Sequence, residues 1–101
     1  MVKQVSERAE IPLEGNVVID FFATWCGPCK RIAPMFEDLA QKYHPHIQFF
    51  KVDVDESPDL VNLFDINAMP TFVFLKHGVV VKKVEGADIK GLEAGFTRLL
   101  Q

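Results

Sequence analysis

The sequence is poor in cysteine, and the two cysteines that it has lie close together. Among 101 residues only Cys26 and Cys29 carry a thiol, and both fall within residues 25–29. This scarcity excludes a disulfide framework of the kind that holds small secreted domains together. A disulfide between the two would close a loop of four residues, which the chain-entropy model values at roughly 2 kcal/mol. The pair is therefore a poor structural cross-link and is better suited to opening and closing.

Long apolar runs, an excess of positive charge and nucleotide-binding motifs are also missing. No run approaches membrane-spanning length, and residues 1–8 lack the apolar core of a secretory signal. The net charge of −3 and the pI near 5.5 argue against a nucleic-acid or anionic-membrane partner. Because no glycine-rich dinucleotide fingerprint or phosphate loop is present, we expect no bound cofactor and electrons from a separate protein. We expect a cytoplasmic location, where a Cys-x-x-Cys pair is more often redox-active or metal-binding than structural.

The order of apolar patterns predicts an α/β fold. The hydrophobic fraction of 49% is ample for a core, and we expect residues 1–101 to form a single domain. Apolar runs predict strands at 2–5, 17–22, 47–55, 71–76 and 79–84. Helical periodicity and capping signals predict helices at 26–43, at 57–64 and after Asp88, where Leu92, Phe96, Leu99 and Leu100 face the core. Ser57 is expected to cap the second of these helices. This order implies a central mixed β-sheet flanked by helices on both faces.

Cys26 lies where an apolar strand ends and a helix begins. Unsatisfied backbone N–H groups and the helix macrodipole favour negative charge there, and the thiolate is the form that attacks disulfides. We therefore expect Cys26 to be the nucleophile. Cys29, one turn further in and more covered, is expected to be the resolving thiol that releases the reduced substrate. The dipeptide Gly27-Pro28 tunes the pair, since proline pre-sets the backbone of the first helical turn and stiffens the loop.

Asp20 interrupts the apolar run 17–22, although aspartate is rarely buried without a partner. Burial would raise the pKa of Asp20 and make it a proton acceptor near neutral pH. Lys51 has the strand parity of residues expected to point inward, so it can meet Asp20. We hypothesise that Asp20, tuned by Lys51, deprotonates Cys29 during resolution, directly or through water. The alternative is a buried ion pair with a structural role only.

Four blocks of sequence together resemble the thioredoxins over nearly the whole chain. They are residues 20–30 (Asp-Phe-Phe-Ala-Thr-Trp-Cys-Gly-Pro-Cys-Lys), 52–55 (Val-Asp-Val-Asp), 69–72 (Met-Pro-Thr-Phe) and 86–87 (Gly-Ala). The residues of the first and third blocks are similar to those of eukaryotic-type members. The resemblance implies a thioredoxin fold and a protein-disulfide reductase, because proline between the cysteines favours a reductant. The short segment before residue 17 predicts that the first helix of the family is a stub or absent.

The resemblance also implies a substrate groove beside the cysteines. A cis bond before Pro70 would bring the backbone of Met69 and Pro70 against them. That backbone, with Trp25, Gly86 and Ala87, would form a shallow apolar groove for an extended client segment. A neighbouring set of carboxylates is expected to form a solvated acidic surface, namely Asp53, Asp55, Glu56 and Asp59.

The family resemblance also implies possible partners. It implies re-reduction by an NADPH-dependent thioredoxin reductase. It also implies disulfide-bearing clients such as peroxiredoxins, ribonucleotide reductase or methionine sulfoxide reductases. Some animal members dimerise through a cysteine where this chain has Ala68, so we expect a monomer.

Two alternative functions compete with a disulfide reductase. A zinc site could use Cys26 and Cys29 with His44 and His46, but these histidines are too close together in sequence for the usual pattern. A helix of about seventeen residues would also hold them roughly 25 Å from the cysteines. The second alternative is a non-catalytic module that uses the groove only to bind. The presence of both cysteines and of Asp20 argues against that module.

Overall fold

Five β-strands and three α-helices follow one another along the chain, and the computed structural model describes residues 1–101. The strands are β1 (Val2–Gln4), β2 (Asn16–Phe22), β3 (Gln48–Asp53), β4 (Thr71–Lys76) and β5 (Val79–Glu85). The helices are α1 (Gly27–Tyr43), α2 (Pro58–Leu63) and α3 (Ile89–Leu99), and a 3₁₀ turn covers Arg8–Glu10. The predicted elements are confirmed with small shifts at their ends, and the expected stub is the 3₁₀ turn. None of the three helices has the length and apolar character needed to cross a membrane.

The strands form one mixed sheet in the order β1-β3-β2-β4-β5. β3 runs parallel to both β1 and β2, whereas β4 runs antiparallel to β2 and to β5. β2 is therefore the central strand, and residues 17–21 are all buried. Burial on both faces explains why the sequence of this strand is almost uninterrupted in its apolar character.

Two hydrophobic clusters, one on each face of the sheet, form most of the core. The first joins one face of the sheet to α2 and includes Val17, Ile19, Phe21, Val52, Leu60, Phe64 and Ile66. The second joins the other face to α1 and α3 and includes Val18, Ile32, Phe36, Phe49, Phe74, Leu92 and Phe96. Helices on both faces are thus confirmed. Because side chains alternate along a strand, Asp20 has the same parity as Val18 and belongs to the face of the sheet that α1 and α3 cover.

Two predicted details of the helix ends are wrong. Leu100 is 48% exposed, because α3 ends at Leu99 and the next residue only caps the helix. Ser57 occupies the N-cap position of α2, but its side chain makes no capping hydrogen bond and its hydroxyl is buried without a partner. Its backbone, with φ −134° and ψ 63°, lies outside the extended conformation that aims a serine hydroxyl at the first helical N–H groups.

Candidate redox site

The cysteine pair lies at the junction between the central strand and the first helix. β2 ends at Phe22 and α1 begins at Gly27, so Cys26 is the N-cap residue and Cys29 lies in the first turn. Pro28 occupies one of the first two helical positions, where its missing N–H costs no helical hydrogen bond. The Cα atoms of the two cysteines are 5.3 Å apart, and their sulfur atoms form a disulfide. One turn of helix therefore brings the two sulfur atoms within bonding distance.

The two sulfur atoms differ in their hydrogen bonds more than in their burial. Cys26 and Cys29 are 6% and 4% exposed, so the expected greater cover of Cys29 amounts to little. The backbone N–H of Cys29 donates a hydrogen bond to Sγ of Cys26 at 3.2 Å. The carbonyl oxygen of Met69 lies 3.7 Å from the same sulfur, where it can accept a hydrogen bond from the reduced thiol. The N–H donor and the helix dipole both favour a thiolate at Cys26.

Asp20 is buried within the sheet, on the face that α1 covers. It is 4% exposed, and its Oδ1 atom has no hydrogen-bond partner. In the parallel pairing of β2 with β3 it stands opposite Lys51. Burial raises the pKa of Asp20 to about 7, and the positive charge of Lys51 acts in the opposite direction by a smaller amount. The carboxyl group can therefore take up or release a proton near neutral pH.

A cavity of about 260 Å³ connects this carboxyl group to the cysteine pair. Asp20, Lys51 and Cys29 all contribute to its walls, together with Thr24 and Lys30. A water molecule needs about 10–15 Å³ of such space and at least two polar partners, which the carboxyl and ammonium groups provide. The structure thus brings Asp20, Lys51 and Cys29 to one cavity in which water can relay a proton.

The cis-proline loop lies against the cysteines. The Met69-Pro70 peptide is cis, and Met69 packs on the small cluster formed by Ala23, Cys26 and Cys29. The backbone N–H of Gly86 donates a hydrogen bond to the carbonyl of Pro70 at 2.7 Å. This bond brings the segment that continues with Ala87 beside the same loop.

Asp55 belongs to the site, although the sequence led us to expect only a solvated carboxylate. The indole N–H of Trp25 donates a hydrogen bond to Oδ2 of Asp55 at 3.0 Å, while Trp25 itself is 66% exposed. The N–H of Asp55 in turn donates to Oδ1 of Asp53 at 3.0 Å. The prediction of a solvated surface is wrong for Asp53, which is 7% exposed because it is the last residue of β3 and pairs with Phe22. The Asp-x-Asp spacing after a strand was the available signal, since aspartate often accepts from the N–H two residues on.

The histidines of the alternative zinc site lie at the far end of α1. His44 follows the last residue of this helix of 17 residues, and His46 lies two positions further on, whereas Cys26 precedes the first residue. At 1.5 Å per residue the helix separates the two pairs by roughly 25 Å. Cys26, Cys29, His44 and His46 therefore cannot bind one zinc ion.

Comparison with known protein families identifies the family of this chain. The thioredoxin family model matches residues 3–97. The chain belongs to the thioredoxin family. This result confirms the resemblance and the thioredoxin fold. Thioredoxins are redox proteins, and this chain is a disulfide oxidoreductase whose Cys26–Cys29 pair works by dithiol–disulfide exchange.

Thioredoxins of plants and fungi are similar to the chain in sequence and in structure. Thioredoxin H4 of Arabidopsis thaliana is 54% identical over 82 residues, which cover 81% of this chain and 69% of that relative. The mitochondrial thioredoxin-3 of Saccharomyces cerevisiae is 49% identical over 92 residues, covering 91% of this chain and 72% of its own length. The crystal structure of Malassezia sympodialis thioredoxin superposes with a TM-score of 0.91 at 42% identity and covers 100% of this chain and 92% of that one. The family generally acts on disulfide-bearing client proteins.

Proposed function

We propose that the chain reduces protein disulfides by a two-step exchange in which Cys26 attacks and Cys29 resolves. The observation that carries this proposal is the hydrogen bond from the N–H of Cys29 to Sγ of Cys26 at the start of α1. It stabilises negative charge on one sulfur of the pair and not on the other. The order of attack follows from that difference.

The first step forms a mixed disulfide. The Cys26 thiolate attacks one sulfur of the client disulfide, and the other client sulfur leaves as a thiolate that takes up a proton. The groove of Trp25, Met69, Pro70, Gly86 and Ala87 holds the client segment during this step. Its support is the position of Met69 against the cysteines and the hydrogen bond between Gly86 and Pro70. An extended segment bound beside the cis-proline loop would offer its disulfide to Cys26.

The second step releases the reduced client. Asp20 accepts the proton of the Cys29 thiol through water in the shared cavity, and the resulting thiolate attacks Sγ of Cys26. The Cys26–Cys29 disulfide forms, and the second client sulfur leaves and is protonated, so two electrons pass to the client. Lys51 tunes the proton acceptor, because its positive charge keeps the pKa of Asp20 from rising further. Gly27 and Pro28 hold the two cysteines at the spacing that both steps need.

The proposal also covers the partners of the protein and its compartment. A separate NADPH-dependent thioredoxin reductase returns two electrons to the Cys26–Cys29 disulfide, since the sequence carries no nucleotide-binding motif. Peroxiredoxins, ribonucleotide reductase and methionine sulfoxide reductases are the proposed classes of client. We place the protein as a monomer in the reducing cytosol. One similar relative, thioredoxin-3 of Saccharomyces cerevisiae, is mitochondrial, so the mitochondrion is the second compartment to test.

Insulin reduction tests the proposed function. The purified protein is mixed with insulin and dithiothreitol, beside the Cys26→Ser and Cys29→Ser variants. We expect the wild type to accelerate insulin reduction, Cys26→Ser to lose the acceleration, and Cys29→Ser to accumulate a mixed disulfide through Cys26. If the folded, reduced wild type gave no acceleration, the non-catalytic binding module would become the better explanation.

A further inference from the structure

A second concave surface adjoins the proposed groove at Ala87. Its cavity of about 180 Å³ lies between α1 and α3 and is lined by Arg31, Ile32, Met35, Ala87 and Ile89, which we call the Arg31 pocket. Four of these five residues are apolar. Met35 and Ile89 are 38% and 39% exposed, so the two helices leave apolar surface uncovered between them.

Arg31 is the one charged residue that lines the pocket. Its guanidinium also reaches the redox loop, since its Nη1 atom lies 3.3 Å from the position that a Cβ atom on Gly27 would occupy. The guanidinium of Arg8 donates a hydrogen bond to a backbone carbonyl, whereas that of Arg31 has no hydrogen-bond partner within the protein. The carboxylate of Asp88, which lies between Ala87 and Ile89 in sequence, accepts from the N–H of Gly91 as the N-cap of α3. Arg31 is therefore free to pair with an acidic group of another molecule.

We propose that the Arg31 pocket selects clients that carry an apolar side chain next to a carboxylate close to their disulfide. The apolar side chain fills the cavity, and the carboxylate accepts hydrogen bonds from the planar guanidinium of Arg31. The inference rests on the proposed reductase function and names the class of client that this site prefers. Ala87 lines both the groove and the pocket, so a client segment bound beside Cys26 continues directly into the pocket.

The charges on the two sides of the redox loop support this assignment. On the side of Trp25 the carboxylate of Asp55 accepts a hydrogen bond from the indole and would repel an acidic client. On the side of Ala87 the one charge that lines the pocket is the guanidinium of Arg31. A client with a carboxylate on one side of its disulfide is thus attracted in one orientation and repelled in the other.

Synthetic peptide disulfides flanked on one side by Leu-Glu, Leu-Gln, Leu-Lys or Ser-Glu, and on the other side by neutral residues, test the inference. Their second-order rate constants are measured with fully reduced protein at low salt, by acid quench and chromatography. The proteins are the wild type, Arg31→Glu and, as a matched control for net charge, Arg98→Glu at an exposed position near the end of α3. Neutral hydroxyethyl disulfide measures the reactivity of Cys26 itself in each protein, so each peptide rate is read relative to it.

We expect the wild type to reduce the Leu-Glu peptide about two- to fivefold faster than the Leu-Gln peptide, the range for an exposed ion pair. The Leu-Lys and Ser-Glu peptides should react more slowly than the Leu-Glu peptide. Arg31→Glu should reverse the order of the Leu-Glu and Leu-Lys peptides, whereas Arg98→Glu should keep the wild-type order. High salt should shrink the preference for glutamate.

Three results would overturn the inference. They are equal rates for the Leu-Glu and Leu-Lys peptides with the wild type, an unchanged order in Arg31→Glu, and the same reversal in Arg98→Glu. If hydroxyethyl disulfide is reduced normally in these cases, only the role of the Arg31 pocket fails. If no protein reduces hydroxyethyl disulfide, the reductase function fails as well.

Discussion

At the scale of single residues, the buried carboxyl group of Asp20 couples the stability of the protein to pH. Its pKa is about 7 in the folded protein against an ordinary value of 3.8. Between these values the folded state binds more protons than the unfolded state, so stability falls as pH rises through this window. This difference in pKa corresponds to a change of at most roughly 4 kcal/mol in the free energy of unfolding. We expect urea titrations of the oxidised protein to show that its free energy of unfolding decreases between about pH 4 and about pH 7.5, which are roughly the limits of this window.

The Asp20→Asn variant removes the titrating group and should remove this decrease. Asp59→Asn is the matched control, because Asp59 is exposed on α2 and should leave the wild-type profile intact. If Asp20→Asn followed the wild-type profile, the proton uptake would belong to another group.

The same substitution should slow the second step of exchange. Without a proton acceptor in the cavity, the Cys29 thiol loses general-base assistance, which is worth about 10²-fold or more. We therefore expect the mixed disulfide at Cys26 to live longer in Asp20→Asn near neutral pH, with the rate of attack by Cys26 nearly unchanged. The difference should shrink above about pH 8.5, where a free thiol ionises without help.

A single-turnover reaction, quenched at intervals and analysed by mass spectrometry, measures the lifetime of this mixed disulfide. The variant Lys51→Met keeps the carboxyl group of Asp20 but removes the charge that opposes the rise of its pKa. The pH dependence of the mixed-disulfide lifetime should therefore shift to higher pH in this variant. An unchanged lifetime in Asp20→Asn would exclude Asp20 as the proton acceptor.

The sequence predicted those site residues that break a local pattern. Asp20 stands out because it interrupts an apolar strand, and Cys26 because it begins a helix. The partners of Trp25 and the free charge of Arg31 could not be predicted in this way. Their roles depend on the segment after β3 and on the start of α3, which are distant in sequence and meet Trp25 and Arg31 only in the folded chain.

At the scale of helices and strands, α3 packs so closely on β4 that Gly95 has no room for a side chain. A methyl group there would overlap the ring of Phe74, which is held edge-on to Phe96 with ring centroids 5.5 Å apart. Overpacking costs about 1–3 kcal/mol, and alanine gains about 1 kcal/mol over glycine in a helix. We expect Gly95→Ala to destabilise the protein by up to about 2 kcal/mol in urea titrations, the balance of these two effects.

The exposed Thr97→Ala substitution in the same helix serves as the control, because it changes helix propensity without adding volume to the core. A Gly95→Ala protein more stable than the wild type would show that the ring of Phe74 can move aside.

Lys83 of β5 binds backbone carbonyl groups just after the end of α2. Its Nζ atom donates hydrogen bonds of 2.8 Å to the carbonyl oxygens of Phe64 and Asp65, which follow the helix and lead to the cis-proline loop. We expect Lys83→Met to lower the free energy of unfolding by about 1–2 kcal/mol, because two carbonyls lose a charged donor. Lys82→Met removes the same charge from the neighbouring position of β5 and should cost less. Equal losses in the two variants would mean that net charge, and not the bonds to α2, is responsible.

Periodicity predicted the elements well because it depends on neighbours in the chain. The continuous apolar run of β2 and the spacing of Ile32 and Phe36 in α1 are local signals of burial. The errors at Ser57 and Leu100 concern helix ends, where the backbone angles of one residue decide whether a side chain caps the helix or turns outward. Residue type alone does not fix those angles.

At the scale of the whole molecule, four separate segments converge on one pair of sulfur atoms. The junction of β2 and α1 supplies the cysteines, β3 supplies Lys51, the loop before β4 supplies the cis-proline, and the segment after β5 supplies Gly86 and Ala87. The mixed sheet makes this possible because β3 and β4 flank the central strand. The fold therefore brings both the proposed proton acceptor, Asp20, and the proposed client surface to the same cysteine pair.

The central claim is that Cys26, and not Cys29, is the attacking thiolate, and timed alkylation tests it most directly. The reduced wild type is treated briefly with iodoacetamide over a series of pH values, and each cysteine is quantified by peptide mass spectrometry. We predict that Cys26 is modified first and at pH values well below the pKa of a free thiol, about 8.5, while Cys29 stays largely unmodified. Faster modification of Cys29, or modification of both only near the free-thiol pKa, would contradict the claim.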